Sequence, residues 1–403
     1  MTPSLLTSRA ALPSHRSRVT VDLGGLRENV RAVLRSLPKG TGLLPVIKSN
    51  AYGHGIIPVS QLMTDEGIPR VAVMGADEGC LLRKSGFSGK IILLGGFAPD
   101  EIQLCQNLRL TPIIHHMDQV RALERFSPEA PSLDVHLKID SGMGRLGFLP
   151  SEFPLALDRL QRMPSVRIEG LMTHFPVPED REDTSICREI FRQSIVTMIG
   201  HPALSALSVV HMASSGAILS GEVMLDLPTP PSGRRISFWA RPGILLYGHF
   251  PGAHNPSFPV RPVFGLEARV LAIRTLPRGS SVSYGRTVRV DRDSRVGVLG
   301  MGYADGLPRL LSGKGWAVVG NHRAPFLGRI CMDMVVVDLT DIPADETHSE
   351  WITLIDPDNT LSMSVDQLAL EGDTIPYEIL CLLGHRSERR YVGVPSPESG
   401  QSV

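Results

Sequence analysis

Apolar positions along the chain fall into two rhythms, with the change near residue 250. In the first part, short apolar runs at 19–23, 44–47, 70–74, 90–94, 108–114, 133–139, 166–172 and 207–211 read as strands. Between and after them, 23–37, 55–66, 77–85, 100–107, 117–125, 150–162, 181–199 and 214–220 carry apolar residues at helical spacing, and 244–247 is a last short apolar run. Strand and helix alternate roughly eight times over about 230 residues, the scale of a (β/α)8 barrel. Alternation alone does not separate a closed barrel from a doubly wound sheet. Beyond 251 the rhythm is that of short strands, at 260–275, 281–290, 295–300, 316–319, 330–338 and 350–355, divided by turns rich in Gly, Pro, Asp and Asn. Helical spacing returns only at 365–370 and 376–383. The pattern predicts an α/β plus β chain: a flexible N-terminal tail at 1–18, a TIM-like barrel over 19–250 and a mostly β domain over 251–403, with a Pro/Gly-rich boundary at 251–262. The Pro/Ser/Gly-rich segment after 394 reads as a fraying end.

Composition narrows the function classes. With 403 residues, two domains are the prior, and 42% hydrophobic with 20% charged residues is ordinary for a globular protein. A net charge of +0 argues against broad attraction to nucleic acid or an anionic membrane. No apolar run is long enough to span a bilayer, and the first residues lack the apolar core of a secretory signal. The five cysteines, Cys80, Cys105, Cys187, Cys331 and Cys381, are scattered without CxxC spacing, which suggests neither a metal site nor a disulfide framework and fits a reducing cytoplasm.

Candidate chemistry gathers where predicted strands end. Val46-Ile47-Lys48-Ser49-Asn50-Ala51-Tyr52-Gly53 closes an apolar run on one lysine beside a tyrosine and a glycine turn. A desolvated lysine there can act as an amine nucleophile toward a carbonyl or an aldehyde. In 133–140, alternation puts His136, Lys138 and Asp140 on the face opposite Val135, Leu137 and Ile139, and a glycine-containing turn then carries Arg145. Lys138 and Arg145 near one site call for an anion between them. Thr173-His174-Phe175, His211-Met212-Ala213-Ser214-Ser215-Gly216 and Trp239-Ala240-Arg241-Pro242-Gly243-Ile244 follow other apolar runs. Ser215 and the amides of Gly243 and Ile244 can bind an anion. In the β part, Tyr284, Tyr303, Met332 and Tyr377 stand in turn contexts. A tyrosine serves as a general acid or base where a cation lowers its pKa. Taken singly, each signal has an ordinary alternative: Lys48 as a solvated strand end, Arg145 paired with Asp140, His174 as a structural group, Ser215 as an N-cap and the tyrosines as packing.

Taken in order, these motifs resemble the alanine racemase family: Val-Ile-Lys-Ser-Asn-Ala-Tyr-Gly-His-Gly, Asp-Ser-Gly-Met-Gly-Arg-Leu-Gly, Thr-His-Phe, His-Met-Ala-Ser-Ser-Gly, Arg-Pro-Gly-Ile-Leu-Leu-Tyr-Gly, Val-Ser-Tyr-Gly, Gly-Tyr-Ala-Asp-Gly, Gly-Arg-Ile-Cys-Met-Asp and Pro-Tyr-Glu. The resemblance runs from about residue 19 to about residue 391. It implies a cofactor, pyridoxal 5'-phosphate (PLP), held covalently by Lys48. It also implies alanine as substrate, D-alanine supply for peptidoglycan, and a homodimer with shared active sites. Lys48 and Tyr284 would be the two bases, Tyr284 coming from the partner subunit. Arg145, Met332 and Tyr303 would meet the substrate. Tyr52, Ser215, Gly243, Ile244 and Tyr377 would hold the cofactor phosphate, Arg241 would face its ring nitrogen, and His174 would support Arg241 and Tyr284. Lys138 matches a position that is often carbamylated in the family. Two departures are mild: Ser214 where Asn is common, and Ser141 where Thr is common. A serine or broad-specificity racemase of the same fold shares these residues. A PLP-binding homeostasis protein would lack the β part with Tyr284, and an ornithine-type decarboxylase would lack that segment too.

Overall fold

The structure is a computed structural model that describes residues 15–125, 132–252 and 257–393. The expected flexible tail at 1–18 and the fraying end beyond 394 therefore lie almost wholly outside the described residues. The chain divides into two units: 23–263, and 1–22 together with 264–403.

The first unit is a closed barrel of eight parallel strands. They are β2 (Thr41–Leu43), β3 (Arg70–Val73), β4 (Lys90–Leu93), β5 (Leu110–Ile114), β6 (Leu133–Lys138), β7 (Val166–Met172), β8 (Val209–His211) and β9 (Ser237–Ala240), with β1 (Ser17–Asp22) belonging to the other unit. β2 pairs with β9, and the sheet then runs β8, β7, β6, β5, β4 to β3. Residues just beyond β2 close the ring. Val46 donates to Pro242 O at 2.9 Å on one side, while Ile47 donates to Ala72 O at 2.9 Å on the other. Helices between the strands bury one apolar stripe each. Leu23–Ser36 does so with Leu23, Leu26, Val30 and Val33, and Arg181–Met198 with Cys187, Phe191 and Ile195. Buried Asn29 bonds to the backbone of Leu246 and Arg261, fastening the end of the unit to its first helix.

Two ends of the barrel differ from the sequence expectation. The strand at 19–23, expected as part of a barrel over 19–250, is β1. It runs antiparallel to β10 (Phe264–Leu276) and parallel to Glu388–Val392, so it is a member of the β unit. Its alternating burial marks a strand but not the sheet it joins. The eighth barrel strand is instead β9, which the sequence reading passed over, and the apolar run 244–247 is a 3-10 turn after it.

The second unit is an eight-stranded, mostly antiparallel sheet ordered Ser294–Leu299, Val335–Asp338, His322–Leu327, Trp316–Val319, Trp351–Ile355, β10, β1 and Glu388–Val392, with β10 also pairing with Ser294–Leu299. His322–Leu327 and Glu388–Val392 were not expected. The first contains Pro325, and the second is mostly charged.

Candidate active site

Lys48, Lys138, Thr173-His174, His211 and Arg241 all lie at or just past the carboxyl ends of barrel strands, the edge where barrels carry chemistry. The backbone after Lys48 is unusual. Ser49, Asn50, Ala51 and Tyr52 have φ of 54°, 54°, 54° and 51°, one turn of left-handed helix without a glycine among them. Such a conformation costs about 1–2 kcal/mol per residue. It persists because its polar groups are bound. Ala51 donates to Ile47 O at 2.8 Å, Gly53 to Ser49 O at 3.0 Å and Gly55 to Asn50 O at 2.9 Å. The Asn50 side-chain Oδ1 accepts from the Ile56 amide at 2.9 Å. Glu78, from the helix Ala76–Lys84, accepts the amides of Ser49 at 2.6 Å and Met74 at 2.7 Å. Glu78 escaped the sequence reading, which took 77–85 only as a helix.

The left-handed turn buries Tyr52 against Tyr247, with ring centroids 5.1 Å apart. The Tyr52 hydroxyl lies against Gly243, so close that any side chain at 243 would collide with it. Ser215 Oγ accepts from the Gly243 amide at 3.0 Å and the Leu245 amide at 3.3 Å. Tyr52, Ser215, Gly243 and Ile244 thus form one small cradle of hydroxyls and main chain.

Cations crowd the same mouth. Arg241 is buried, its Nη2 donating to Thr173 O at 2.8 Å and Met212 O at 3.2 Å, its Nη1 to His211 Nδ1 at 3.1 Å. Burial pulls its pKa down to about 9, leaving it the cation at neutral pH. His174 Nδ1 lies 3.4 Å from Arg241 Nη2. Burial, then the charges of Arg241, Lys138, Arg145 and Lys48, push His174 down to about 3. Four cations therefore surround a histidine that stays neutral. Lys138 is itself lowered to about 8, by burial first and then by Arg145 and Arg241. So many like charges at one edge are a standing site for an anion.

In the β unit, three expected residues adjoin one another. Tyr284 follows Ser283 (φ 61°) and precedes Gly285 (φ 74°) and Arg286 (φ 49°) in a tight turn, and it is 70% exposed. The Ser283 hydroxyl holds this turn to Arg329 O and lies 3.3 Å from Cys331 Sγ. Tyr303 and Ala304 donate to Cys331 O at 3.0 Å and Met332 O at 2.9 Å. Buried Asp305 and its neighbour Asp333 share Arg386, at 2.9 and 2.8 Å, which fixes the Met332 turn. Tyr377 is half-buried on the helix Pro376–Leu382.

A barrel with a lysine after its first strand, further cations and a small hydroxyl and main-chain cradle at the same edge, and a following β unit that displays a tyrosine turn defines a class: a two-domain barrel enzyme. Residues 21–251 match the family model for the N-terminal domain of alanine racemase, and residues 263–391 match that for its C-terminal domain. The chain belongs to the alanine racemase family. It is 34% identical to the alanine racemase of Citrifermentans bemidjiense, over 95% of this chain and 100% of that one. Among solved structures it is similar to alanine racemase from E. faecalis, with a TM-score of 0.83 and 28% identity over 94% of this chain and 98% of that one. It is also similar to the Bartonella henselae alanine racemase with covalently bound pyridoxal phosphate, with a TM-score of 0.77 and 26% identity over 94% and 100%. No helix among the described residues is long and apolar enough to cross a membrane.

Proposed function

We propose that the chain is a PLP-dependent racemase that interconverts L-alanine and D-alanine, with Lys48 and Tyr284 as its two bases. The carrying observation is the barrel mouth, where Lys48 and three further cations surround neutral His174 beside a hydroxyl and main-chain cradle. These residues fit PLP. Tyr52, Ser215, Gly243 and Ile244 offer the small donor-lined cradle a phosphate needs, and Tyr377 is assigned as a further phosphate contact. Lys48 would supply the amine that links an aldehyde, and Arg241 would lie toward the ring nitrogen. When bound, PLP supplies an electron sink that acidifies the substrate Cα–H.

Racemisation requires a proton to leave one face of Cα and return to the other, so one base is not enough. Lys48 Nζ moves the proton on one face. Tyr284, from a second copy of the chain in a homodimer, moves it on the other. Arg145 and the Met332 turn bind the substrate carboxylate, and Tyr303 lines the approach. Arg241, a cation at neutral pH, would discourage protonation of the ring nitrogen and so restrain side reactions that need a stronger sink. Lys138 is carbamylated: with its pKa near 8, part of it is free amine, and the carbamate turns a cation beside Arg145 into an anion. The product role is D-alanine for peptidoglycan, in the cytoplasm.

The test is incubation of L-alanine with the purified protein in deuterated water. The expected result is D-alanine carrying deuterium at Cα. An amino-acid panel in which serine racemises and alanine does not would refute the substrate assignment. Mass spectrometry after trapping with labelled bicarbonate reads Lys138, and an unmodified amine there at full activity argues against the carbamate.

A further inference from the structure

The barrel interior below Arg241 carries polar side chains besides the Val, Ile and Leu usual in such barrels. They form a chain that is fully buried at His211 and His136 and part-exposed from Glu169 onward. His211 Nε2 of β8 lies 2.7 Å from His136 Nδ1 of β6, and both side chains are fully buried. His136 Nε2 lies 3.4 Å from Glu169 Oε2 of β7, and that same oxygen accepts from Lys90 Nζ of β4. Lys90 also pairs with Asp134 at 3.2 Å, and Asp134 with Arg167 at 2.6 Å. β7 lies between β6 and β8, and Gly170 makes the crossing possible. It pairs with His136, and a Cβ on it would stand 2.7 Å from the His136 ring.

The ends of this chain determine its protons. A guanidinium only donates, so the nitrogen facing Arg241, His211 Nδ1, must be an acceptor. The neutral ring then carries its hydrogen on Nε2 and donates to His136 Nδ1. A carboxylate only accepts, so His136 must carry its hydrogen on Nε2 and donate to Glu169. The two deductions, one from each end, agree at the 2.7 Å bond between the rings. A second proton on His136 would leave His211 without any, so both rings are neutral.

Burial depresses both histidines, with Arg241 and His136 adding to the effect at His211. At His136 the Glu169 and Asp134 charges oppose it and Lys90 assists it. Burial alone would raise Glu169, but hydrogen bonds from His136 and Lys90 hold it at about 2, an anion.

We propose that His136 and Glu169 are positioning residues that act through His211, holding the Nε2–H tautomer so that Arg241 presents one fixed face to the mouth. No charge needs to move along the relay; its function is orientation. The inference rests on the role proposed above for Arg241, but the tautomers are measurable without it.

Neutron diffraction from crystals of the deuterated full-length holoenzyme reads them directly. Deuterium on Nε2 and none on Nδ1 of both His211 and His136 is the expected result, and deuterium on either Nδ1 overturns the relay. Two variants extend the test. Glu169→Gln keeps one carbonyl oxygen, and a single carboxylate oxygen makes both contacts now, so activity stays within about threefold of wild type. Glu169→Leu removes the acceptor, so kcat/KM falls about 10–100-fold, the scale of losing a group that orients a ligand. The cofactor absorption band and the pH profile shift with it. A folded Leu variant with an unchanged band and unchanged kcat/KM overturns the proposal. If that variant does not fold, the wild-type neutron result still decides. Both deuterons in place without racemase activity support the relay and overturn the functional reading instead.

Discussion

Lys48 and Tyr284 both follow a short strand, and both are flanked by residues of positive φ: Ser49 to Tyr52 after Lys48, and Ser283, Gly285 and Arg286 around Tyr284. Their surroundings differ. The turn after Lys48 is bound at almost every polar atom, by Glu78, by the Asn50 side chain and by its own carbonyls. Tyr284 is 70% exposed, and its neighbour Ser283 anchors the turn to Arg329. On the function proposed above, one base leads into a packed turn of the barrel, and the other is displayed on a surface where a second copy of the chain would meet it. Backbone of positive φ thus occurs in two settings here, a packed turn in the barrel and an exposed turn in the β unit.

The largest effect expected is that of Lys48→Ala. Losing both the cofactor link and one base should reduce racemisation by more than about 10⁴-fold, beyond the usual contribution of a general base. Retention of the yellow, borohydride-fixable cofactor at wild-type level in that variant would show that another amine is the anchor. Tyr284→Phe should lose about 10²–10⁴-fold in kcat while still binding cofactor, because the barrel half is complete without it. A variant that lost cofactor as well would blur the contrast between the two turns.

Glu78→Ala is next. It strands the Ser49 and Met74 amides, at about 1–3 kcal/mol for each that finds no water, and frees the left-handed turn to relax. Thermal unfolding and cofactor affinity should both fall, whereas loss of stability with unchanged affinity would mean the turn holds its shape without Glu78.

The smallest effect is on pH dependence. His174, His136 and His211 have folded pKa values below the ordinary 6.5, so the unfolded chain binds protons more readily. Stability is full above about pH 6.5 and falls as pH drops from there, toward about 3 for His174, by up to about 1.4 kcal/mol per pH unit for each such histidine. Glu169, at about 2 folded against 4.5, adds a second loss between about pH 4.5 and 2. Urea midpoints should therefore be lower at pH 5 than at pH 7.5; equal midpoints would contradict neutral buried histidines.

Much of this was legible before the structure. The strand-end motifs that carry Lys48, Arg145, His174, Ser215 and Arg241 stand on one edge of one barrel, as the strand–helix alternation implied. Alternation also put His136 and Lys138 on a common face. What it could not convey was partnership between distant segments. Eight strands were counted by including 19–23, whose partners lie at 264–268 and 388–392, and by omitting β9, a four-residue strand after a Pro/Gly-rich stretch. Glu169 was missed for a related reason. The register of β6 against β7 slips between Val135 and His136, so simple alternation does not predict which β7 residue meets His136. Glu78 contributes by reaching back to a turn about thirty residues earlier, which no local pattern encodes.

The central claim is that two different groups serve the two faces of Cα, and the Tyr284→Phe variant tests it most directly. L-alanine and D-alanine are incubated separately with this variant in deuterated water, and Cα deuterium and configuration are followed together. The account predicts that one enantiomer exchanges its Cα hydrogen with retention, through Lys48, while racemisation of both is nearly lost. Racemisation of both enantiomers at wild-type rates, with deuterium entering both products equally, would contradict it.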